Sequence, residues 1–283
     1  MSHTEDAHVI GSASPLIAVT TTATTRPASA PPNAIFLNAG LMHRIGAQRM
    51  SVEIARDLAK YGVDSLRFDC SGIGDSPPRR DNLPFAESSV LETIEAMDFM
   101  AERTGTDRHV LMGLCSGADQ AFQVALKDER VTGIVLLDPY PYQTIRFKLH
   151  RIANPLMRRA TWQKAASGQY HVAYRVLKRL AGEYEEVEDA GLAVRQIPPR
   201  EETEAGYRQL IERGTRVCVV FTAGQLGTYN YANQFWHMHP SLPRDDERLQ
   251  YTYFADSNHT TSLASMRRVL IRHISDWFGG FGG

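Results

Sequence analysis

Cysteine is scarce and scattered in this sequence: Cys70, Cys115 and Cys218 are the three in 283 residues. An odd number at wide spacing excludes a disulfide framework and leaves no C-x-x-C half of a metal site, so each cysteine has to be explained alone. Long apolar runs are also missing, which excludes a membrane-spanning helix. At the N-terminus, Glu5 and Asp6 follow three polar residues. That order is the reverse of the basic-then-apolar pattern of a secretion signal, and a cytoplasmic protein is expected. Nor is there an excess of either charge. The 31 Lys and Arg against 32 Asp and Glu leave a net charge of −1, which gives no overall pull toward nucleic acid or a membrane surface. Charge arguments must therefore be local.

What is present is a 43% apolar chain whose length suits one large α/β domain better than two. Leu16 to Thr22 reads as a β-branched edge strand running into a Thr-, Ala- and Pro-rich loop. From Ala34 the pattern becomes regular. A strand at Ala34 to Leu37 is followed by a helix from about Arg49 to Tyr61, which Gly62 closes, and by a strand at Val63 to Phe68. A helix at Pro84 to Thr104, a strand at His109 to Gly113, a helix at Gly117 to Asp128 and a strand at Val131 to Leu137 continue the alternation. Strands apolar on both faces imply a parallel sheet covered by helices on both sides, a doubly wound α/β fold. The rhythm breaks over residues 139–205, where five prolines separate helical patches, and resumes with strands at Arg216 to Thr222 and Leu249 to Phe254 and a helix from about Ser262 to Phe278. The expected organisation is a core of residues 1–138 and 206–283 with a helical cap inserted at 139–205, and a Gly-rich C-terminal end that frays.

The most informative stretch is Met112-Gly113-Leu114-Cys115-Ser116-Gly117-Ala118. It has the form G-x-nucleophile-x-G between a strand and a helix, a turn so tight that side chains two residues either side of the centre would clash. The central residue is Cys115, placed at the carboxyl end of the sheet with a helix N-terminus behind it, where the positive end of the helix dipole favours a thiolate. The alternative is a buried cysteine in an ordinary strand-to-helix turn. Ser116 is one residue out of register for a nucleophile, and Cys70 and Cys218 lack this context and read as structural.

With that motif the chain resembles the α/β-hydrolase fold from about Ala34 to Phe278. Asp69-Cys70-Ser71-Gly72-Ile73-Gly74-Asp75-Ser76 resembles the D-x-x-G-x-G-x-S loop of that family, and Asn38-Ala39-Gly40-Leu41-Met42-His43-Arg44-Ile45-Gly46 occupies the place of its oxyanion-hole loop. Together with Gly113-Leu114-Cys115 these segments are similar to cysteine-bearing hydrolases associated with exosortase systems. The resemblance implies acyl chemistry in envelope or natural-product biosynthesis, with no cofactor and no metal. It also implies a base just beyond the last strand, where His259 lies in Asp256-Ser257-Asn258-His259. The family's usual acid follows the strand before last, but Gln225 stands there. Asp138, at the end of the previous strand, is the first candidate for the acid, with a self-capping turn Asp as the alternative; Asp256 is a weaker candidate, and a Cys-His dyad needs no acid. The oxyanion hole implied is the backbone N–H of Ser116 and that of Leu41, whose side chain would help line the pocket. His237 and His239 form an H-x-H pair without a third ligand at metal spacing, expected in a solvated loop.

The cap carries a local charge. Between Pro139 and Gly182 there are nine basic residues (Arg146, Lys148, Arg151, Arg158, Arg159, Lys164, Arg175, Lys178 and Arg179) and no Asp or Glu. The same stretch holds Tyr140, Tyr142, Phe147, Trp162, Tyr170 and Tyr174, and an acidic run from Glu183 to Asp189 follows it. One reading is a solvated face neutralised by that run. The other is a docking surface for an anionic acyl thioester donor, either coenzyme A or an acidic carrier protein, with nucleic acid disfavoured. The function expected is therefore a thioesterase or acyltransferase with a cysteine nucleophile. A carboxylesterase-type hydrolase and a non-catalytic binding protein on the same fold are the alternatives.

Overall fold

The computed structural model describes residues 2–25, 27–157, 195–223 and 228–281. Most of the expected cap, including Trp162, Tyr170, Tyr174 and the six basic residues from Arg158 to Arg179, lies outside the described residues, as does Gln225.

Eight strands form one sheet: β1 (His3–Ile10), β2 (Leu16–Ala23), β3 (Asn33–Phe36), β4 (Ser65–Phe68), β5 (His109–Leu114), β6 (Val131–Leu137), β7 (Arg216–Thr222) and β8 (Leu249–Phe254). Their spatial order is β1-β2-β4-β3-β5-β6-β7-β8. β1 and β2 pair antiparallel, as do β2 and β4. Every other pairing is parallel. The helices are α1 (Met50–Leu58), α2 (Phe85–Thr104), α3 (Ser116–Lys127), α4 (Ile145–Met157), α5 (Arg200–Glu212), α6 (Gln234–Met238) and α7 (Ala264–Gly279).

The central strands are apolar on both faces because each face has its own helical cover. Leu111, Ile134, Leu136, Val217 and Val219 point to one side, into a core shared with α2, α3 and α5. Their neighbours Val110, Met112, Val135, Leu137, Cys218 and Val220 point to the other, against α1 and α7. Period-two alternation thus sorts an unbroken apolar run into two cores. Each fully buried Leu, Ile or Val contributes roughly 1.5–3 kcal/mol of transfer free energy.

Three elements depart from the pattern expected of the sequence. β1 was not anticipated, since its residues HTEDAHVI form a largely exposed edge strand with little apolar content, held by ladder pairing to β2 from His3 opposite Ala23 to Ile10 opposite Leu16. α5 crosses the expected boundary at 205/206 and packs on α3, with the Tyr207 and Phe122 rings 4.8 Å apart. The C-terminal end does not fray at Phe281: its ring meets Trp277 edge-on at 5.2 Å, and the Arg216 guanidinium lies 4.8 Å above it. Among the described residues no helix is long and apolar enough to cross a membrane.

Candidate active site

Cys115 sits between β5 and α3 at φ 56°, ψ −120°, a backbone conformation that a non-glycine residue adopts only when its surroundings enforce it. Its N–H donates to the Leu137 carbonyl at 2.8 Å, and its carbonyl accepts the N–H groups of Ala118 and Asp119 at 3.0 and 3.1 Å. The turn is therefore bonded to β6 in front and to the first turn of α3 behind. The flanking glycines are sterically required. A Cβ on Gly113 would lie 2.1 Å from the Gly117 carbonyl carbon, and one on Gly117 would lie 2.5 Å from the Asn38 carbonyl oxygen. Cys115 itself is 8% exposed, at the first turn of a helix whose unsatisfied N–H groups carry partial positive charge.

Asp138 follows β6 and is fully buried. Its Oδ1 accepts the Thr222 N–H at 2.7 Å, and its Oδ2 accepts the Thr222 hydroxyl at 2.8 Å. The same Oδ2 accepts Nδ1–H of His259 at 2.7 Å. His259, in the turn after β8, also hydrogen-bonds Cys115. Burial disfavours the imidazolium, but the hydrogen bonds and negative charges of Asp138 and Cys115 outweigh it and push His259 up to about 9. The structure thus brings Cys115, His259 and Asp138 into one chain of contacts. All three turns that bear them hold a non-glycine residue at positive φ: Cys115 at 56°, Asp138 at 47° and Thr261 at 46°. Asp256 is exposed.

The loop after β3 is held against this turn by a buried polar cluster. Asn38 donates to the Met42 carbonyl at 2.9 Å and to Asp69 at 3.1 Å, and accepts the Cys70 N–H at 2.9 Å. Asp69 also accepts from the backbone and side chain of Arg44, each at 2.5 Å. The Gly40 N–H donates to the Ser116 hydroxyl at 2.7 Å, which joins the loop directly to the residue after Cys115. Leu41 is the next residue in the loop. Its side chain, expected to line a pocket, is 79% exposed, because Gly40 at φ 55° turns the chain outward there.

The other expectations divide. Cys70 and Cys218 are both buried, and burial raises both thiols, Cys218 to about 12. His237 and His239 are not in a solvated loop. His239 is 1% exposed and is packed edge-on by Tyr142, Tyr207 and Phe235, while His237 Nδ1 lies 2.9 Å from the Tyr231 hydroxyl. Short helix α6, whose apolar side, Phe235 and Met238, is buried, carries His237 and ends at His239. Among the described residues the one grouping with metal-ligand character is His43, Asp69 and Asp75. Arg44 Nη1 already lies 2.5 and 2.7 Å from its two carboxylates, so a cation occupies the position an ion would take. Two residues escaped the sequence reading. Asp119, on the first turn of α3, and Arg195, which pairs with it, stand beside Cys115, and neither belongs to a motif.

Residues 34–166 match the family model described as alpha/beta hydrolase fold. A search of curated proteins gave no match. Similar solved structures include an esterase from Pyrococcus furiosus, with a TM-score of 0.59 and 11% identity over 99% of this chain and 91% of that one. A serine hydrolase without a lid from Xanthomonas campestris gives 0.56 and 13% over 98% and 95%. A proline iminopeptidase from Mycobacterium smegmatis gives 0.55 and 14% over 98% and 99%. At these identities the likeness is one of fold.

Proposed function

We propose, from the premise that this chain has the α/β-hydrolase fold, that it is an acyl-transfer enzyme whose nucleophile is Cys115. The observation that carries this reading is a cysteine at φ 56° on the strand-to-helix turn joined through His259 to a buried aspartate 2.7 Å away. With His259 pushed up to about 9, an imidazolium stands beside the sulfur, and such a neighbour favours the thiolate, the reactive form of a cysteine nucleophile.

In this reading the sulfur attacks the carbonyl carbon of a thioester or activated ester. The oxyanion that forms is met by the N–H of Ser116 at the start of α3, with that of Leu41 as the second donor. His259 gives its proton to the leaving group, so an acyl-Cys115 intermediate remains beside a neutral imidazole. That imidazole then takes a proton from water, or from an acceptor alcohol or amine, as it attacks the acyl carbon. Asp138 holds the Nδ1–H tautomer throughout and stabilises the imidazolium. Thioester exchange suits such a site because attacking and leaving groups have the same chemistry. Exposed Arg146 and Lys148 on α4 support an anionic donor, a carrier protein or coenzyme A, approaching the cap side.

A second reading, a carboxylesterase using the same residues, is favoured by the fold likeness to an esterase. The two separate on a matched pair of substrates, an acyl thioester and a p-nitrophenyl ester of the same short acyl chain. A higher kcat/KM for the thioester supports acyl transfer from a thiol donor. Equal or better turnover of the oxoester supports the carboxylesterase. Turnover of neither, with Cys115 alkylated no faster than a free thiol peptide, would leave a binding protein on a hydrolase fold.

A further inference from the structure

A second buried charge stands beside the site and takes no part in the chemistry described above. Arg195 has a side chain only 12% exposed. Its Nε and Nη2 both bond the Asp119 carboxylate, the latter at 2.6 Å. The same Nη2 points to two backbone carbonyls, that of Cys115 at 3.4 Å and that of Asp138 at 3.3 Å. The guanidinium lies 5.6 Å from the centre of the Tyr140 ring, two residues beyond Asp138. The residues whose carbonyls it contacts are two of the six non-glycine residues at positive φ among the described residues. Conformations of that kind are strained and persist only where neighbouring groups fix them.

We propose that Arg195 is the positioning residue of this site, a fork that ties the turn bearing the nucleophile to the turn bearing the acid through their backbone carbonyls. The proposal rests on Cys115 being the nucleophile. Asp119 makes the fork possible. It belongs to the first turn of α3, its N–H bonds the Cys115 carbonyl at 3.1 Å, and its carboxylate fixes the guanidinium plane by a two-point contact that a lysine ammonium does not reproduce. Arg195 therefore grips the nucleophile turn twice, at its carbonyl and through the helix behind it, and the acid turn once. The arrangement also puts a fixed positive charge within electrostatic reach of the Cys115 sulfur. Charge and geometry are separable, because alkylation needs only an ionised sulfur, to which the charges of His259 and Arg195 both contribute, whereas acyl transfer also needs the oxyanion donors and the leaving-group proton in register.

The experiment compares full-length wild type with Arg195→Lys and Arg195→Met. Two rates are measured on each. One is alkylation of Cys115 by iodoacetamide as a function of pH; the other is single-turnover acylation by a saturating short acyl thioester, followed by intact mass. Arg195→Lys is expected to keep the pH midpoint of alkylation near that of wild type while acylation slows roughly 10- to 100-fold. Arg195→Met is expected to slow acylation as much and also to raise the alkylation midpoint, since the nearby cation is gone. Should Arg195→Lys not fold, Asp119→Asn, which loosens the fork from the α3 side, is expected to give the same split. Acylation by folded Arg195→Lys at the wild-type rate would overturn the proposal, and so would an equal loss in both rates. Absence of any acyl adduct on wild type itself would instead overturn the nucleophile assignment, and the proposal with it.

Discussion

His259 Nδ1 donates to Oδ2 of Asp138 at 2.7 Å across 121 residues of sequence, and Asp138 stands at the end of β6, one strand earlier than the family's usual acid. Thr222, the last residue of β7, donates twice to the same carboxylate, so β7 fixes the orientation of Asp138. Asp138→Asn should keep the fold and lower the acylation rate by about 10- to 1000-fold, the range of general-base assistance. A serine enzyme loses more from the corresponding change, ~10⁴ in turnover, because its nucleophile depends wholly on the base. Exposed Asp256 is the control. Asp256→Asn should be nearly silent in the same single-turnover assay, and a larger loss there than at Asp138 would move the acid to the wrong side of His259.

The raised His259 makes a signed prediction about pH and stability. Its pKa of about 9 in the folded chain lies above the 6.5 of an unperturbed imidazole, so the folded state holds the proton more tightly than the unfolded state. The resulting stabilisation is fully present below about pH 6.5 and is lost as pH rises through 9. Urea midpoints of wild type and His259→Gln should differ by a constant amount below pH 6 and converge between pH 6.5 and 9. A gap that widens over that interval contradicts the assignment of the proton.

His239 acts in the opposite sense. Burial among Tyr142, Tyr207 and Phe235 lowers it to about 4 from 6.5, so the unfolded chain binds this proton more readily and stability falls as pH drops from 6.5 to 4. The loss amounts to about 3 kcal/mol at most. His239→Phe, which suits an aromatic surrounding, should flatten the acid limb of the stability profile over that range. An unchanged acid limb would mean that His239 titrates normally and that the limb comes from other groups.

The glycines of the nucleophile turn should be intolerant, each for a different contact. Gly117→Ala drives a methyl to 2.5 Å from the Asn38 carbonyl and Gly113→Ala to 2.1 Å from Gly117, so neither fits without moving the loop after β3 or the start of α3. Both should lose acylation and lower the urea midpoint. Gly214→Ala has open space around its Cβ but a φ of 94°. It should cost only the backbone strain, on the order of 1–2 kcal/mol, and leave the acylation rate unchanged.

The parallel strands β3 to β8 were legible because burial on both faces writes an unbroken apolar run, and the elbow because only glycine fits either side of Cys115. Strand-end positions already ranked Asp138 ahead of Asp256, but whether its carboxylate faces His259 or only caps its own turn depends on contacts across 121 residues that the sequence does not display. β1 was illegible, since an edge strand that shows one face to water has no apolar pattern to detect. His239 misled for a related reason: its cage comes from residues 4, 32 and 97 positions away, and a polar HMHP sequence resembles a loop. Arg195 left no local signal at all, because its partners Cys115, Asp119 and Asp138 come from 57 to 80 residues upstream.

The most direct test of a cysteine nucleophile is the intermediate itself. Wild type and Cys115→Ala are mixed with an excess of a short acyl thioester, quenched in acid within the first turnover, and weighed intact. Wild type should gain one acyl group, mapped by peptide sequencing to the segment that contains Cys115, and Cys115→Ala should gain none. An equal adduct on Cys115→Ala, or none on wild type across a broad panel of acyl donors, would contradict the account.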